Sequence, residues 1–297
     1  MLVLGHADKV DNNTLSDAKN KYPFMKISQW FLDPLSKKGP DYEKNRLRVT
    51  EKSKICDASF ITTSPDALDF KLKNSFFIPN PCDLSLDNLK NYNRDKIFDI
   101  FFAISHGVHR GLLRPGKTDE REIFISKLKK LCDDVSFDTY GMFGKQPIWG
   151  NEFIKKLSNA RMALNLSRGK PIKYYSSDRI AQLMGNGLLT FIHEDTKYND
   201  FFKNDEMIFY KNISDLSEKI KKYSKDKKEC SFFEDTWSFL GEGFLKGSPN
   251  TADTTLLVET SPLHYNSRFF LRRKLRSNDL KSSLNAREIE NHLWNTH

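Results

Sequence analysis

No apolar run in the 297 residues approaches the roughly 20 needed to span a bilayer. The opening stretch Met1-Leu-Val-Leu-Gly5-His6-Ala-Asp8 is too short and too acidic at its end for a secretory leader. A cytoplasmic protein is therefore expected. The chain has no C-x-x-C pair: its four cysteines, Cys56, Cys82, Cys132 and Cys230, lie far apart, and buried thiols are expected rather than a zinc site or a disulfide frame. His106 and His109 stand three residues apart with no cysteine or carboxylate at a ligand-like offset, so no metal is expected. Nor is there a recognisable nucleic-acid module or an internal repeat.

A net charge of +9 is present, but it is dispersed. In the run Lys219-Ile-Lys221-Lys222-Tyr-Ser-Lys225-Asp226-Lys227-Lys228-Glu229 the cations alternate with acids, as on a solvated helix face. Specific nucleic-acid binding is not expected. Attraction to phosphate, or peripheral contact with an anionic membrane, suits such a surface. With 38% hydrophobic and 29% charged residues the chain has enough apolar mass for a real core.

Apolar runs of strand length alternate with helix-like segments. Leu2–Leu4, Met25–Leu32, Ala58–Thr62 and Phe76–Ile78 form one series of strands. Ile97–Ile104, Ser136–Tyr140, Met162–Leu166, Leu188–Ile192 and Met207–Tyr210 form a second. Helices are expected over Asp41–Lys54, Thr118–Leu131, Asn151–Ala160, Ser177–Met184 and Ser214–Tyr223, several with capping residues at their starts. This rhythm means parallel βαβ units and an α/β class. Between the two series, Phe77-Ile78-Pro79-Asn80-Pro81-Cys82-Asp83 breaks the pattern, which puts a boundary near residue 85. After residue 229 the rhythm stops and an Arg-rich patch appears, Arg268-Phe-Phe-Leu-Arg272-Arg273-Lys274-Leu-Arg276. The expected organisation is a first domain over 1–85, a second over 86–228 and a divergent tail over 229–297.

Two strand ends in the second series carry chemistry. The strand Ile97–Ile104 runs into Ser105-His106-Gly107-Val108-His109-Arg110-Gly111, where small residues let backbone amides approach an anion and Arg110 adds charge. Taken alone, an ordinary βα turn with surface histidines explains this segment as well. The strand Met162–Leu166 opens into Ser167-Arg168-Gly169-Lys170-Pro171, again rich in hydroxyl and cation. Ser176 or Ser177 then caps a helix whose amino end offers unpaired N–H groups, and Gly185 and Gly187 close it. Tyr174 and Tyr175 are expected to pack on the sheet edge, with stacking on a base the less favoured role. Two adjacent strand-end loops and one helix amino terminus would thus converge on a single polyanion.

The stretch Ala160-Arg-Met-Ala-Leu-Asn165-Leu-Ser167-Arg168-Gly, with Ser176-Ser177-Asp-Arg179-Ile-Ala-Gln182-Leu-Met-Gly-Asn-Gly187, Tyr198-Asn-Asp-Phe-Phe and Met207-Ile-Phe-Tyr210, resembles the group 1 glycosyltransferases. More closely it is similar to their spore-maturation-protein (CgeB-like) branch. The turn Phe77-Ile-Pro79-Asn80-Pro-Cys-Asp83 resembles the one that closes the first domain in that family. The resemblance covers residues 77 to 228 in order and fits residues 1 to 76 more loosely. It implies a GT-B-like fold: two Rossmann-like domains with parallel sheets facing across a cleft, the second holding a nucleotide-diphosphate sugar. Compared with the family, the first domain is expected to be incomplete, exposing apolar residues such as Trp30 or Phe60, and the tail to be atypical.

The family's R-x-x-E helix falls on Arg179 and Gln182, with Gln where the ribose-binding glutamate would stand; its amide can still accept a hydrogen bond, without the charge. The implied donor-binding residues are Ser105, His106, Arg110, Asn165, Ser167, Arg168, Lys170, Ser176, Ser177, Arg179 and Gln182. Arg110, Arg168 and Lys170, with Arg179 behind them, would stabilise the departing diphosphate without metal or cofactor. A base from the acceptor side would come from His6, Asp8 or Asp33, although Asp8 and Asp33 also suit ordinary loop openings. The expected activity is sugar transfer from the nucleotide-sugar donor to an acceptor glycan, lipid or protein. The alternative is a non-catalytic nucleotide-sugar-binding remnant or scaffold.

Overall fold

The computed structural model describes residues 2–5, 10–80, 82, 87–93, 95–105, 107–204 and 206–225. Two separate parallel sheets organise them. The first contains β1 (Leu2–Leu4), β2 (Ile27–Phe31), β3 (Ala58–Ile61) and β4 (Ser75–Phe77), laid side by side in chain order. The second contains β5 (Phe98–Ala103), β6 (Phe137–Tyr140), β7 (Ala160–Leu164), β8 (Leu189–His193) and β9 (Ile208–Tyr210), in the order β6-β5-β7-β8-β9.

Parallel neighbours require a crossover between them, and helices supply most of these. In the first sheet they are α1 (Asn12–Lys21) and α2 (Tyr42–Ser53). Leu15 of α1 packs with Leu4 and Ile27, while Val49 of α2 packs with Phe31, Leu35 and Ile61. Helix α1 was not expected from sequence. Its segment Asn-Asn-Thr-Leu-Ser-Asp-Ala-Lys-Asn-Lys buries only Leu15, so no apolar period marks it. Asp11 starts it by accepting from the Thr14 amide at 2.9 Å, and Lys19 anchors its end to Asp57 at 3.0 Å. Trp30 and Phe60, expected to be exposed, are half-buried: Trp30 lines the cleft, and Phe60 lies against Phe76 with ring centroids 6.0 Å apart.

The second sheet is covered on both faces, as a buried parallel sheet must be. Alternation along β5 sends Ile100 and Phe102 to one side and Phe101 and Ala103 to the other. The first side is closed by α3 (Glu120–Leu131) and α6 (Ile213–Lys225) through Ile125, Leu128, Leu216 and Ile220. The second is closed by α4 (Gly150–Leu157) and α5 (Arg179–Gly185) through Leu157 and Leu183. Two boundaries differ from expectation. Ala160 already pairs with Phe98, so α4 ends at Leu157 and β7 begins two residues early. Helix α5 is a short seven-residue helix whose first flanking residue, Asp178, makes no side-chain cap bond.

The two sheets are joined by packed contacts. Phe77 at the end of β4 stacks on Phe201 at 5.4 Å and meets Tyr174 at 5.0 Å. The Ser64 amide donates to the Lys173 carbonyl at 3.1 Å, and Lys173 pairs with Asp66. Gly169, at φ +77°, lies so close to the Lys38 carbonyl that a Cβ would come within 2.4 Å of it. Among the described residues no helix is long and apolar enough to cross a membrane.

Candidate functional site

The strand order of the second sheet locates the site. Its first strand, β5, lies between β6 and β7, so the chain leaves β5 for one neighbour and later returns to the other side. The loops after β5 and β7 therefore diverge at adjacent strand ends and open a crevice there. A cavity of about 690 Å³ occupies that crevice. Ser105, Gly107, Arg110, Ser167, Arg168, Tyr175, Ser177 and Arg179 line one wall. Residues of the first sheet and α2, including Trp30, Phe31, Asp33, Lys44 and Arg48, line the facing wall. The two loops expected to converge do so.

The electrostatics of this cavity are dominated by cations. Arg179 donates through Nη1 to the Leu166 carbonyl at 3.2 Å, and its guanidinium carbon lies 5.2 Å from the centre of the Phe102 ring. It has no carboxylate partner within ion-pair distance among the described residues. Burial and the nearby Arg121 charge lower its pKa to about 10, so it stays protonated at neutral pH at an energetic cost an anion would relieve. Arg121, buried in the same wall, is differently placed. It forms a two-pronged pair with Asp119, Nε to Oδ1 at 2.8 Å and Nη2 to Oδ2 at 3.1 Å. Burial alone would push the Asp119 carboxyl up, but the hydrogen bonds and charge of Arg121 outweigh it and hold the group below the usual range.

This buried pair explains a glycine. Gly107 has φ +100°, and a Cβ there would meet Asp119 Oδ2 at 2.2 Å and Arg121 Nη2 at 2.8 Å. Only glycine lets the loop close over the pair. The Arg168 side chain covers the same point, with Cδ 3.4 Å from that Cβ position. The rest of the loop is braced by His109, which is buried and accepts the Arg114 amide at Nδ1 at 3.0 Å. Leu113 N donates to Gln146 Oε1 at 3.0 Å. Arg110 and Gly111 both take positive φ, at 47° and 89°, which turns the loop sharply outward.

Several expected residues stand behind the wall instead of on it. Asn165 and Ser176 are buried, with Asn165 Nδ2 donating to Ser176 Oγ at 2.7 Å. Ser176 Oγ donates to the Ser177 carbonyl at 2.9 Å, and the Ser176 carbonyl accepts from Asn80 Nδ2 at 3.1 Å. The expected capping of α5 by Ser176 or Ser177 is thus corrected: the Ser176 hydroxyl is occupied, and Ser177 Oγ is buried with no hydrogen-bond partner among the described residues. Gln182 and Lys170 are exposed and outside the cavity lining. Asp33 faces the cavity from the first sheet, its Oδ2 3.0 Å from Arg48 Nη1. His6, Asp8 and His106 lie outside the described residues.

Sequence reading missed Arg121 and the facing wall of Trp30, Lys44 and Arg48, and gave Tyr175, which lines the cavity, a ligand role only as the less favoured alternative. The spacing Asp119-x-Arg121 at a helix start carries no mark of a buried pair. Tyr175 has its hydroxyl pKa pushed up by burial and by Asp33 and Asp178, so it remains a neutral donor. Among the described residues no group of three or more His, Cys, Asp or Glu is placed to hold a metal ion.

Residues 117–231 match the family model described as "Glycosyl transferase-like". No curated protein matches the chain. Solved structures with the same architecture include a variant of S. aureus TarM in complex with Fondaparinux, alpha-GlcNAc-glycerol and UDP. It is 13% identical with a TM-score of 0.52, and the match covers 74% of this chain and 48% of that one. The chain thus spans about half the length of TarM. Anabaena HepE in complex with UDP and glucose is 11% identical with a TM-score of 0.53, covering 79% of this chain and 72% of that one. Sucrose-phosphate synthase from Thermosynechococcus elongatus is 12% identical with a TM-score of 0.50, covering 78% and 72%. These likenesses show the fold: two Rossmann-like domains in the GT-B arrangement.

Proposed function

We propose that the protein transfers a sugar from a nucleotide-diphosphate sugar to an acceptor, as a glycosyltransferase of the group 1, CgeB-like type. The division between the domains is placed near residue 85, and the tail read from the sequence over 229–297 lies outside the described residues. The observation that carries this reading is Arg179: a half-buried guanidinium, without a carboxylate partner among the described residues, set in the crevice at the β5–β7 switch point. Similarity to HepE and TarM, solved with UDP, supports the class of donor.

In this reading the donor diphosphate lies between the loops after β5 and β7. Arg168 and Arg179 supply its countercharge, while the hydroxyls of Ser105, Ser167 and Ser177 donate to its oxygens. As the bond from the sugar to the diphosphate breaks, negative charge grows on the leaving oxygen, and these fixed cations stabilise it with little reorganisation. Asn165 and Ser176 position the turn that presents Ser177 and do not themselves touch the donor. The acceptor enters from the wall of the first sheet, where Asp33 is the described candidate to take its proton.

One observation favours the second reading, a nucleotide-sugar-binding protein without turnover: Asp33 is held by Arg48 at 3.0 Å. That pair is partly exposed, and such pairs contribute about 0–1 kcal/mol, so it does not lock the carboxylate in place. Incubation with UDP-, GDP- and ADP-sugars, with and without an acceptor panel, separates the two by release of nucleoside diphosphate. Transfer that survives in wild type and is lost in Asp33→Asn, with donor binding intact, supports the enzyme. Donor binding without turnover on any acceptor supports the scaffold, and absence of binding to every nucleotide removes both.

A further inference from the structure

A second cavity, of about 660 Å³, adjoins the first on its outer side. The two share Asp41, Gly107, Arg110 and Arg168 in their walls. The outer one adds Arg114, Lys117 and Thr118. Four cations therefore face one carboxylate, Asp41, and none of the four has an ion-pair partner among the described residues. This surplus stands beyond Arg179, which already lies in the inner cavity. A nucleotide-diphosphate sugar brings one negative charge per phosphate, which Arg168 and Arg179 match. Arg110, Arg114 and Lys117 are left over.

The leftover cations are not scattered on a loose surface. They sit on the loop that His109 and Gln146 brace, at the Arg114 and Leu113 amides, and Arg110 is fixed by its left-handed backbone. A braced loop that concentrates like charge costs stability unless an anion comes to it. Beside it the exposed side chains of Leu112 and Trp149 form an apolar rim, Trp149 lying 3.9 Å from the Cβ position of Gly111.

We propose that the outer cavity is a second anion subsite, which holds a phosphate group carried by the acceptor, next to the donor diphosphate. The inference rests on the glycosyltransferase reading for its partner but not for the subsite itself. It makes the acceptor class a phosphate ester, on a sugar or on a lipid carrier, instead of a neutral glycan.

The test is a calorimetric titration of the full chain, alone and saturated with UDP, against glucose 6-phosphate, glucose and phosphatidylglycerol vesicles. Expected is binding of glucose 6-phosphate or of the vesicles, but not of glucose, that persists with UDP present. Binding of glucose 6-phosphate alone identifies a soluble sugar phosphate, and binding of vesicles alone a lipid-borne one. Arg114→Ser with Lys117→Ser should weaken that binding by about ten-fold per cation removed. UDP affinity should hold, because both side chains are exposed and lie outside the donor site, and the melting temperature should hold or rise as the repulsion is relieved. Three results would overturn the subsite: no phosphate compound binds, the double variant binds as wild type does, or the anion and UDP exclude one another. The last would make the outer cavity part of the donor site. Failure of UDP, GDP and ADP alike to bind while glucose 6-phosphate binds and responds to the variant would overturn the donor reading and leave the subsite standing.

Discussion

At the scale of single residues, the Asp119–Arg121 pair and Gly107 form one unit. Removing one partner of a buried ion pair strands the other, at a cost of about 3–5 kcal/mol. Asp119→Asn should therefore lower stability by an amount of that order in urea unfolding, more than Arg121→Met with Asp119→Leu made together. Because the Asp119 carboxyl is held below its ordinary pKa in the fold, its contribution is complete above the usual carboxylate range and is lost as pH falls through the depressed value. The acid limb of a stability–pH curve should accordingly be shallower in Asp119→Asn than in wild type. Gly107→Ala should cost at least about 1–3 kcal/mol, since its positive φ and the contact with the pair act together; a variant as stable as wild type would show that the loop has room. Ser105, Ser167 and Arg168 were singled out in the sequence because each follows a strand end, whereas Arg179 came through the family resemblance and Ser177 as a candidate helix cap. Arg121 was not, because a helix-start arginine reads as solvated until the fold buries it.

Among elements, the turn between β7 and α5 is where sequence and structure part. Sequence reading saw two serines before a helix and took them as caps exposed to a ligand. The fold spends Ser176 on Asn165 and Asn80 instead, tying the end of β7 and the segment after β4 to one turn. Both tethers are buried, so Asn165→Ala should cost about 1–3 kcal/mol by leaving Ser176 Oγ without its donor. In a chain of this size each 1 kcal/mol lowers the melting temperature by about 2–4 °C. Donor affinity should fall with it, because Ser177 is carried on the same turn; unchanged affinity would show that the turn is held without Asn165. The βα rhythm itself was legible almost throughout, since alternation on β5 and the periodic helices α3 and α6 follow directly from burial on both faces. Helix α1 escaped because a single buried leucine gives no period.

For the whole molecule, the site belongs to neither sheet alone. Trp30, Lys44 and Arg48 come from the first, and the cationic loops from the second. No sequence pattern pairs residues so far apart, which is why one wall of the cavity could not be read in advance. The account assigns the countercharge of the leaving diphosphate to side chains, so sugar transfer should persist in excess EDTA; loss of activity there, restored by a divalent cation, would assign it to a metal. The most direct test of the central claim is UDP binding measured by calorimetry on wild type, Arg168→Ala and Arg179→Ala, with melting temperatures recorded alongside. The account predicts binding by wild type and a loss of about ten- to a hundred-fold in each variant. Melting temperatures should hold, since Arg179 is half-buried and has no carboxylate partner among the described residues. Equal UDP affinity in all three proteins, or a collapse in stability on removing Arg179, would contradict it.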